Sequence, residues 1–245
     1  MSINTKYLGT TLRSPVVVAA SPLSKDIENI KKMEDNGAGA VVLSSLFEEQ
    51  IRAEAEELHE RLDDASPHFA EAASFFPQIH EYRLGPEEYL SHIQKAKNAV
   101  DLPIIASLNG STPGGWTDFA KQIESAGANA LELNIYAVPA DLELSGADLE
   151  QRHLEIVQSV RDAVKLPVAV KLSPYYSSIG NLAKRVDDTG VDGLVLFNRF
   201  MQPDVNLESR QVEAKSYSSR PEDQRLPLRW IAILAGRLDA NLAAT

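Results

Sequence analysis

Three times in this chain a helical pattern stops on a glycine and an apolar run begins a few residues later. Gly37 precedes Ala40-Val41-Val42-Leu43, Gly127 precedes Ala130-Leu131-Glu132-Leu133, and Gly190 precedes Gly193-Leu194-Val195-Leu196. A second phrase also repeats: Ala99-Val100-Asp101-Leu102-Pro103-Ile104 returns 64 positions later as Ala163-Val164-Lys165-Leu166-Pro167-Val168. Glycine ends helices because it reaches the left-handed conformation without a Cβ clash. Short, nearly continuous apolar strands separated by helices require a parallel sheet covered by helices. Two βα units per roughly 60 residues is the spacing of a (β/α)8 barrel. A doubly wound open sheet is the alternative, but it gathers its polar groups at one switch point. Here polar residues leave several strand ends.

Strands are expected at 16–20, 40–44, 103–108, from Ala130, at 167–172, 193–198 and from Asn241, with helices over 25–36, 87–100, 116–126, 148–164, 178–189 and 228–238. Ser24 is placed to cap the first helix, and Pro86 stands where a first helical turn accepts proline. The whole chain, 1–245, reads as a single α/β-barrel domain of TIM type, with insertions at about 46–85 and 199–227. Strand 8 and the end of strand 7 are expected to be missing, leaving strands one and seven as open edges. The first insertion is an acidic helix from Phe47 to Leu62, followed by a stretch with two prolines and Phe75-Phe76; it is read as a lid or substrate wall, or as a surface excursion.

With 245 residues, a net charge of −11 and no cysteine, the chain has neither disulfides nor a thiolate nucleophile, and no basic surface for nucleic acid or anionic lipid. Its apolar runs are too short to span a bilayer. A cytoplasmic protein acting on a small molecule is the expectation, with a homodimer left open. The histidines (His59, His68, His80, His92 and His153) lie in the insertion or on helices without metal-ligand spacing, and are expected at the surface or partly buried. Thr112-Pro113-Gly114-Gly115 opens a helix and reads equally as an anion loop or a plain turn.

The strand ends carry Ser21, Ser44 with Ser45, Ser107 with Asn109, Asn134, Lys171 and Asn198. In a barrel these converge on one rim. Lys171 ends a buried strand, where an ammonium needs an anion or acceptor beside it. Either a ligand pocket or an ion pair with a neighbouring carboxylate, such as Glu132, meets that need; the number of polar strand ends favours the pocket.

Ala20-Ser21-Pro22, Ser44-Ser45, Leu133-Asn134, Val170-Lys171-Leu172-Ser173-Pro174 and Asn198 resemble, in order, the dihydroorotate dehydrogenase family. Those are FMN-binding (β/α)8 barrels that oxidise dihydroorotate to orotate in pyrimidine biosynthesis. The resemblance implies FMN as cofactor, with Ala20, Ser21, Ser44, Asn134, Lys171 and Asn198 touching FMN or substrate, and Asn109 near a family flavin contact. It also shows departures. The family's loop Asn-Leu-Ser-Cys-Pro-Asn, which holds a cysteine or serine base, reads Asn134-Ile135-Tyr136-Ala137-Val138-Pro139 here. Ala137 therefore stands at the base position, and Pro139 replaces the loop's second asparagine. The strand-two lysine is matched to Leu43, and Arg199 replaces a small hydroxyl residue.

The expectation is an FMN-dependent oxidoreductase acting on a CH–CH bond, though not on dihydroorotate itself. Tyr136 is the candidate catalytic residue, with packing of its loop as the competing role; Asp141 and the 47–85 insertion are the other sources of a base. The alternatives are a non-catalytic flavin- or metabolite-binding barrel and a lyase with Lys171 as Schiff-base lysine. Because the family's phosphate loops follow strands seven and eight, weak FMN binding or failure to fold as a monomer is expected.

Overall fold

The computed structural model describes residues 3–47, 85–110, 116–135, 137, 139–199, 203–214 and 220–245. The expected acidic helix, the aromatic pair and the Thr112 loop lie outside them. The first element is one the amino-acid pattern does not announce: an antiparallel ribbon of β1 (Thr5–Tyr7) and β2 (Thr10–Leu12). Its two-residue turn, Leu8-Gly9, has positive φ at both positions, 48° and 71°, the twist that suits a tight hairpin. A leucine is strained there. Leu8 is held by its surroundings: the side chain is buried in the barrel's inner cluster, and its N–H donates to Asn241 Oδ1 at 2.8 Å.

Strands and helices then alternate. β3 (Val17–Val18) leads through a 3₁₀ turn, Pro22–Lys25, into α1 (Ile27–Asp35), and β4 (Ala40–Val42) is followed by β5 (Leu46–Phe47). Beyond residue 84 come α2 (Pro86–Ala99), β6 (Ile104–Gly110), α3 (Trp116–Ser125), β7 (Ala130–Ile135), α4 (Gly146–Ala163), β8 (Val168–Leu172), α5 (Ile179–Asp187) and β9 (Gly193–Leu196). A hairpin of β10 (Pro203–Val205) and β11 (Val212–Ala214) precedes a 3₁₀ turn, Pro221–Gln224, then α6 (Arg225–Leu234) and β12 (Asn241–Ala244). Two helix ends differ from expectation. The cap of α1 is Asp26, whose carboxylate accepts the Glu28 N–H at 2.9 Å, and not Ser24. The last helix starts and stops several residues earlier than its apolar pattern suggests.

The parallel sheet runs β3-β4-β6-β7-β8-β9-β12, in chain order throughout, with β5 pairing β6 beside β4. A doubly wound sheet reverses order at its switch point; this one never does, and the open-sheet alternative falls. Strands laid down successively on one side by right-handed crossovers curl the sheet. The curl has a packing signature, because the two faces of the sheet build separate cores. Val41, Leu43, Ile104, Leu131, Leu133, Val170 and Leu194 pack outward against the helices. Ala40, Val42, Ile105, Ala130, Ala169 and Val195 pack inward with Leu8 and Leu12. The architecture is a partial (β/α)8 barrel.

The internal repeat appears as repeated hydrogen bonding where strands begin. Asn129 accepts the Ile104 N–H through Oδ1 at 2.9 Å and donates its own N–H to Ile104 O at 2.8 Å. Asp192 treats Val168 identically, accepting at 2.9 Å and donating at 2.8 Å. Glu34 and Glu124, each three residues before a helix-ending glycine, accept the Asp101 and Lys165 N–H groups at 3.0 and 2.9 Å. These backbone donors would otherwise be left without partners where the chain enters a strand.

Candidate functional site

Parallel strands deliver all their C-terminal ends to one rim, and the period of two decides which side chains face the lumen. Register places Asn109 beside Asn134 and Asn134 beside Lys171, one layer across three strands. One step lower, Ser107 lies beside Glu132 and Glu132 beside Ala169. Asn198, just past β9, donates Nδ2–H to Asn134 Oδ1 at 2.9 Å, while its backbone N–H continues the ladder to Leu172 O at 2.7 Å. Asn134, Lys171 and Asn198 are thus brought together, with Asn134 and Lys171 each 7% exposed.

Lys171 does not reach into open space. Its Nζ lies 3.6 Å from Glu132 Oε1, with both side chains buried. The sequence alternative of an ion pair is therefore realised in the structure. The pair is loose: 3.6 Å exceeds hydrogen-bond length, and Glu132 Oε1 has no hydrogen-bond partner. Burial pushes the Glu132 carboxyl above the ordinary glutamate range, and the Lys171 ammonium only partly opposes this.

The layer rests on a buttress from α2. Leu43 still donates its N–H to Ile105 O at 2.9 Å, but between there and β5 the strand leaves the ladder, so the Ser107 backbone on β6 loses its partners on that side. The Tyr89 hydroxyl fills the gap, donating to Ser107 O at 3.1 Å and accepting the Ser107 N–H at 2.8 Å. Burial raises the pKa of that hydroxyl, which keeps it a donor. The freed segment brings Ser45 Oγ to 2.8 Å from Ser107 Oγ. One turn along α2, His92 Nε2 sits 2.7 Å from Ser24 O. Ser24 Oγ accepts the Ser44 N–H at 2.8 Å and donates to Ser21 O at 2.9 Å. Ser24 thus ties the exits of the first two barrel strands together. Tyr89 and His92 escaped sequence reasoning, although their spacing on the buried face of α2, with Ile93 and Ala96, is the available signal.

The remaining residues divide. Ala20 is half-buried against the inner cluster, and Ser21 and Asn109 are half-buried at the rim. Leu43 packs outward into the helical layer, and Ser44 is buried next to it with its N–H held by Ser24 Oγ. Asp141 is exposed and accepts the Glu143 N–H at 3.0 Å, away from any base role. Ala137 is half-buried, and Tyr136 lies outside the described residues. Arg199 pairs with Asp223 at 2.7 Å. His92 and His153 are buried, contrary to the surface expectation. His153 Nδ1 bonds the Tyr176 hydroxyl at 2.8 Å, joining α4 to the loop after β8, and burial holds its imidazole down at about 4. Among the described residues no group of three or more His, Asp or Glu converges as a metal site, and no helix is long and apolar enough to cross a membrane.

With that geometry established, comparison with known proteins is specific. The family model for dihydroorotate dehydrogenase matches residues 2–218. The catalytic subunit of dihydroorotate dehydrogenase B (NAD(+)) from Methanocaldococcus jannaschii is 27% identical over 216 residues, covering 85% of this chain and 66% of the relative. The protein of the same name from Listeria welshimeri is 28% identical over 207 residues, covering 83% and 64%. This chain therefore spans just under two thirds of the length of those relatives. Among solved structures, dihydrodipicolinate synthase from Agrobacterium tumefaciens superposes with a TM-score of 0.50 at 16% identity, covering 94% of this chain and 61% of the other, a likeness of fold alone. The family match and the ordered sheet agree: this chain belongs to the dihydroorotate dehydrogenase family.

Proposed function

We propose that the rim binds FMN and serves an oxidoreductase acting on a CH–CH bond of a small molecule other than dihydroorotate. The observation that carries this reading is Asn134 standing beside Lys171 in register while its amide bonds that of Asn198, which gathers two amides and a lysine at one set of strand ends. The donor set fits a flavin's polar edge. Asn134 and Asn198 offer amide donors and acceptors, Ser44 a hydroxyl, and Lys171 a cation. Small inward residues, Ala20 and Ala169, leave width in the lumen. When bound, FMN supplies hydride acceptance, and a cation at its pyrimidine edge favours the reduced anionic form. The chain's own residues orient the ring and hold the ammonium; Ala137 offers no group to take a proton from carbon. That loss argues against dihydroorotate as the donor and leaves a non-catalytic flavin-binding barrel as the second reading.

The test is direct. The purified chain is titrated with FMN while its visible spectrum and flavin fluorescence are followed, and dihydroorotate is then added without oxygen. A yellow complex that dihydroorotate fails to bleach is the expected result. A protein indifferent to FMN overturns the flavin reading, and rapid bleaching overturns the exclusion of dihydroorotate. A nicotinamide is the first electron acceptor to try, since the relatives' names carry NAD(+). Cytoplasmic location and homodimer assembly are proposed with it, to be checked by fractionation and by mass in solution.

A further inference from the structure

Lys171 and Glu132 are placed in a way that a simple structural ion pair does not require. The Lys171 backbone stands in the rim layer beside Asn134, while Glu132 stands one layer deeper, beside Ala169 and Ser107. The ammonium stands 3.6 Å from a carboxylate oxygen that nothing hydrogen-bonds. A four-carbon stem rooted at the rim can also serve an acceptor bound there, beside Asn134 and Asn198. If the ammonium leaves, Glu132 becomes a buried carboxylate with no counter-charge, a costly state unless it is neutralised.

The other ionisable groups that sense Glu132 offer no substitute charge. Tyr7 on β1 and Tyr89 on α2 each have a raised hydroxyl pKa, from burial first and from the Glu132 charge second in Tyr7; in Tyr89 the Ser107 backbone bond opposes the rise and the Glu132 charge adds to it. Both stay neutral. The facing positions on β6, β8 and β9 are Ser107, Ala169 and Gly193, none of them ionisable.

We propose that Lys171 and Glu132 form a proton-coupled relay, in which a hydrogen-bond acceptor on a ligand bound at the rim draws the ammonium away from Glu132 and Glu132 takes up a proton from solvent in compensation. Glu132 is then a positioning residue: it parks the cation in the free state and releases it neutralised in the bound state. The inference deepens the flavin reading, taking the pyrimidine edge of the FMN ring, with its carbonyl oxygens, as that acceptor. The sign follows from linkage. Burial already holds the Glu132 carboxyl above the usual range in the free chain, and loss of its counter-cation raises it further. Binding therefore consumes a proton between those two values, and FMN binds more tightly as pH falls through that window, by up to about tenfold per pH unit.

Two measurements on the chain as it stands test this. First, FMN binding is followed calorimetrically in two buffers of different ionisation enthalpy, for the parent and for Glu132→Gln. The parent is expected to take up about one proton per FMN within the window. The amide variant is expected to bind with essentially no uptake and a flat pH profile. Equal uptake in both proteins, or none in the parent, overturns the relay. Second, the Glu132 carboxyl carbon is titrated by ¹³C NMR without ligand, with Glu132→Gln as the assignment control and Lys171→Met as the probe. A titration above the ordinary range, moved higher in Lys171→Met, supports the pair whether or not FMN binds. A Glu132 that titrates normally overturns it, even if Lys171→Met fails to fold. Failure to bind FMN, with the NMR result intact, removes the flavin reading and leaves the coupled pair supported.

Discussion

Where the barrel strands begin, Leu8 and Leu12 fill the lumen among Ala40, Ile105, Ala130 and Ala169. Around them, backbone donors at Asp101, Ile104, Lys165 and Val168 are met by Glu34, Asn129, Glu124 and Asp192. Where the strands finish, the inward positions are Ser107, Glu132, Asn134 and Lys171, and Glu132 keeps one buried oxygen without a hydrogen bond. The first end uses its polar atoms to close the fold. The second leaves that oxygen unbonded beside a loose charge pair. The same sheet supports both ends because alternation and register, not overall composition, decide what each layer faces. In barrels of this type, rim residues carry chemistry and the opposite end carries stability.

Four substitutions, and one control, break or sharpen that contrast. The largest loss is expected at the closed end from Gly39→Ala. A Cβ at Gly39 would come within 2.0 Å of the Ser14 carbonyl oxygen, and backbone cannot step aside as a side-chain tip can. A loss of roughly 4 kcal/mol or more in urea unfolding is expected. Gly193→Ala is the informative control, because the tight contact of its Cβ is with the Leu8 side-chain end at 2.8 Å, with Ala169 Cβ at 3.4 Å and Asn241 O at 3.6 Å beyond it. Next comes Lys171→Met at the rim, which strands the Glu132 carboxylate at a cost of about 3–5 kcal/mol near neutral pH. A group whose folded pKa is raised favours folding below its unfolded value and loses that contribution as pH rises through the folded value. The Lys171→Met defect should therefore shrink toward pH 4.5 and below, and denaturation across pH 4 to 8 reads it out; a defect independent of pH refutes the rim assignment.

Leu8→Ala should cost about 3 kcal/mol by emptying the plug. The strained φ remains with alanine, so the loss measures packing alone, and thermal unfolding checks it. The smallest effect is Asp26→Ala, which removes the α1 cap and should cost about 1 kcal/mol, measurable as a small shift in unfolding midpoint.

The legible parts were those that short stretches encode. Gly37, Gly127 and Gly190 do have positive φ, at 86°, 89° and 79°, and each is followed by a barrel strand as its pattern implied. The N-terminal ribbon was illegible because its turn is Leu8-Gly9. The usual turn signal is an asparagine or aspartate before glycine, and only the inner core makes leucine tolerable at that φ. The site was half legible. Polar residues at strand ends could be read directly, and they do share a rim. Which faced inward could not be read at strand two, where the chain leaves the ladder between Leu43 and Leu46. Periodicity cannot foresee that break. It depends on Tyr89, 44 to 46 residues away in sequence, taking over the backbone groups of Ser107.

Local chain chemistry alone was enough to determine parallel strands, helices between them and polar residues at their ends, since glycine conformations and apolar periods act over a few residues. Tertiary assembly decided the rest. It chose Asp26 over Ser24 as the first cap, turned Ser24 into a bridge between strands one and two, and sent Lys171 down to Glu132. Each of those outcomes rests on groups distant in sequence competing for one hydrogen bond or one charge, a contest settled only when the curl of the sheet brings them within reach.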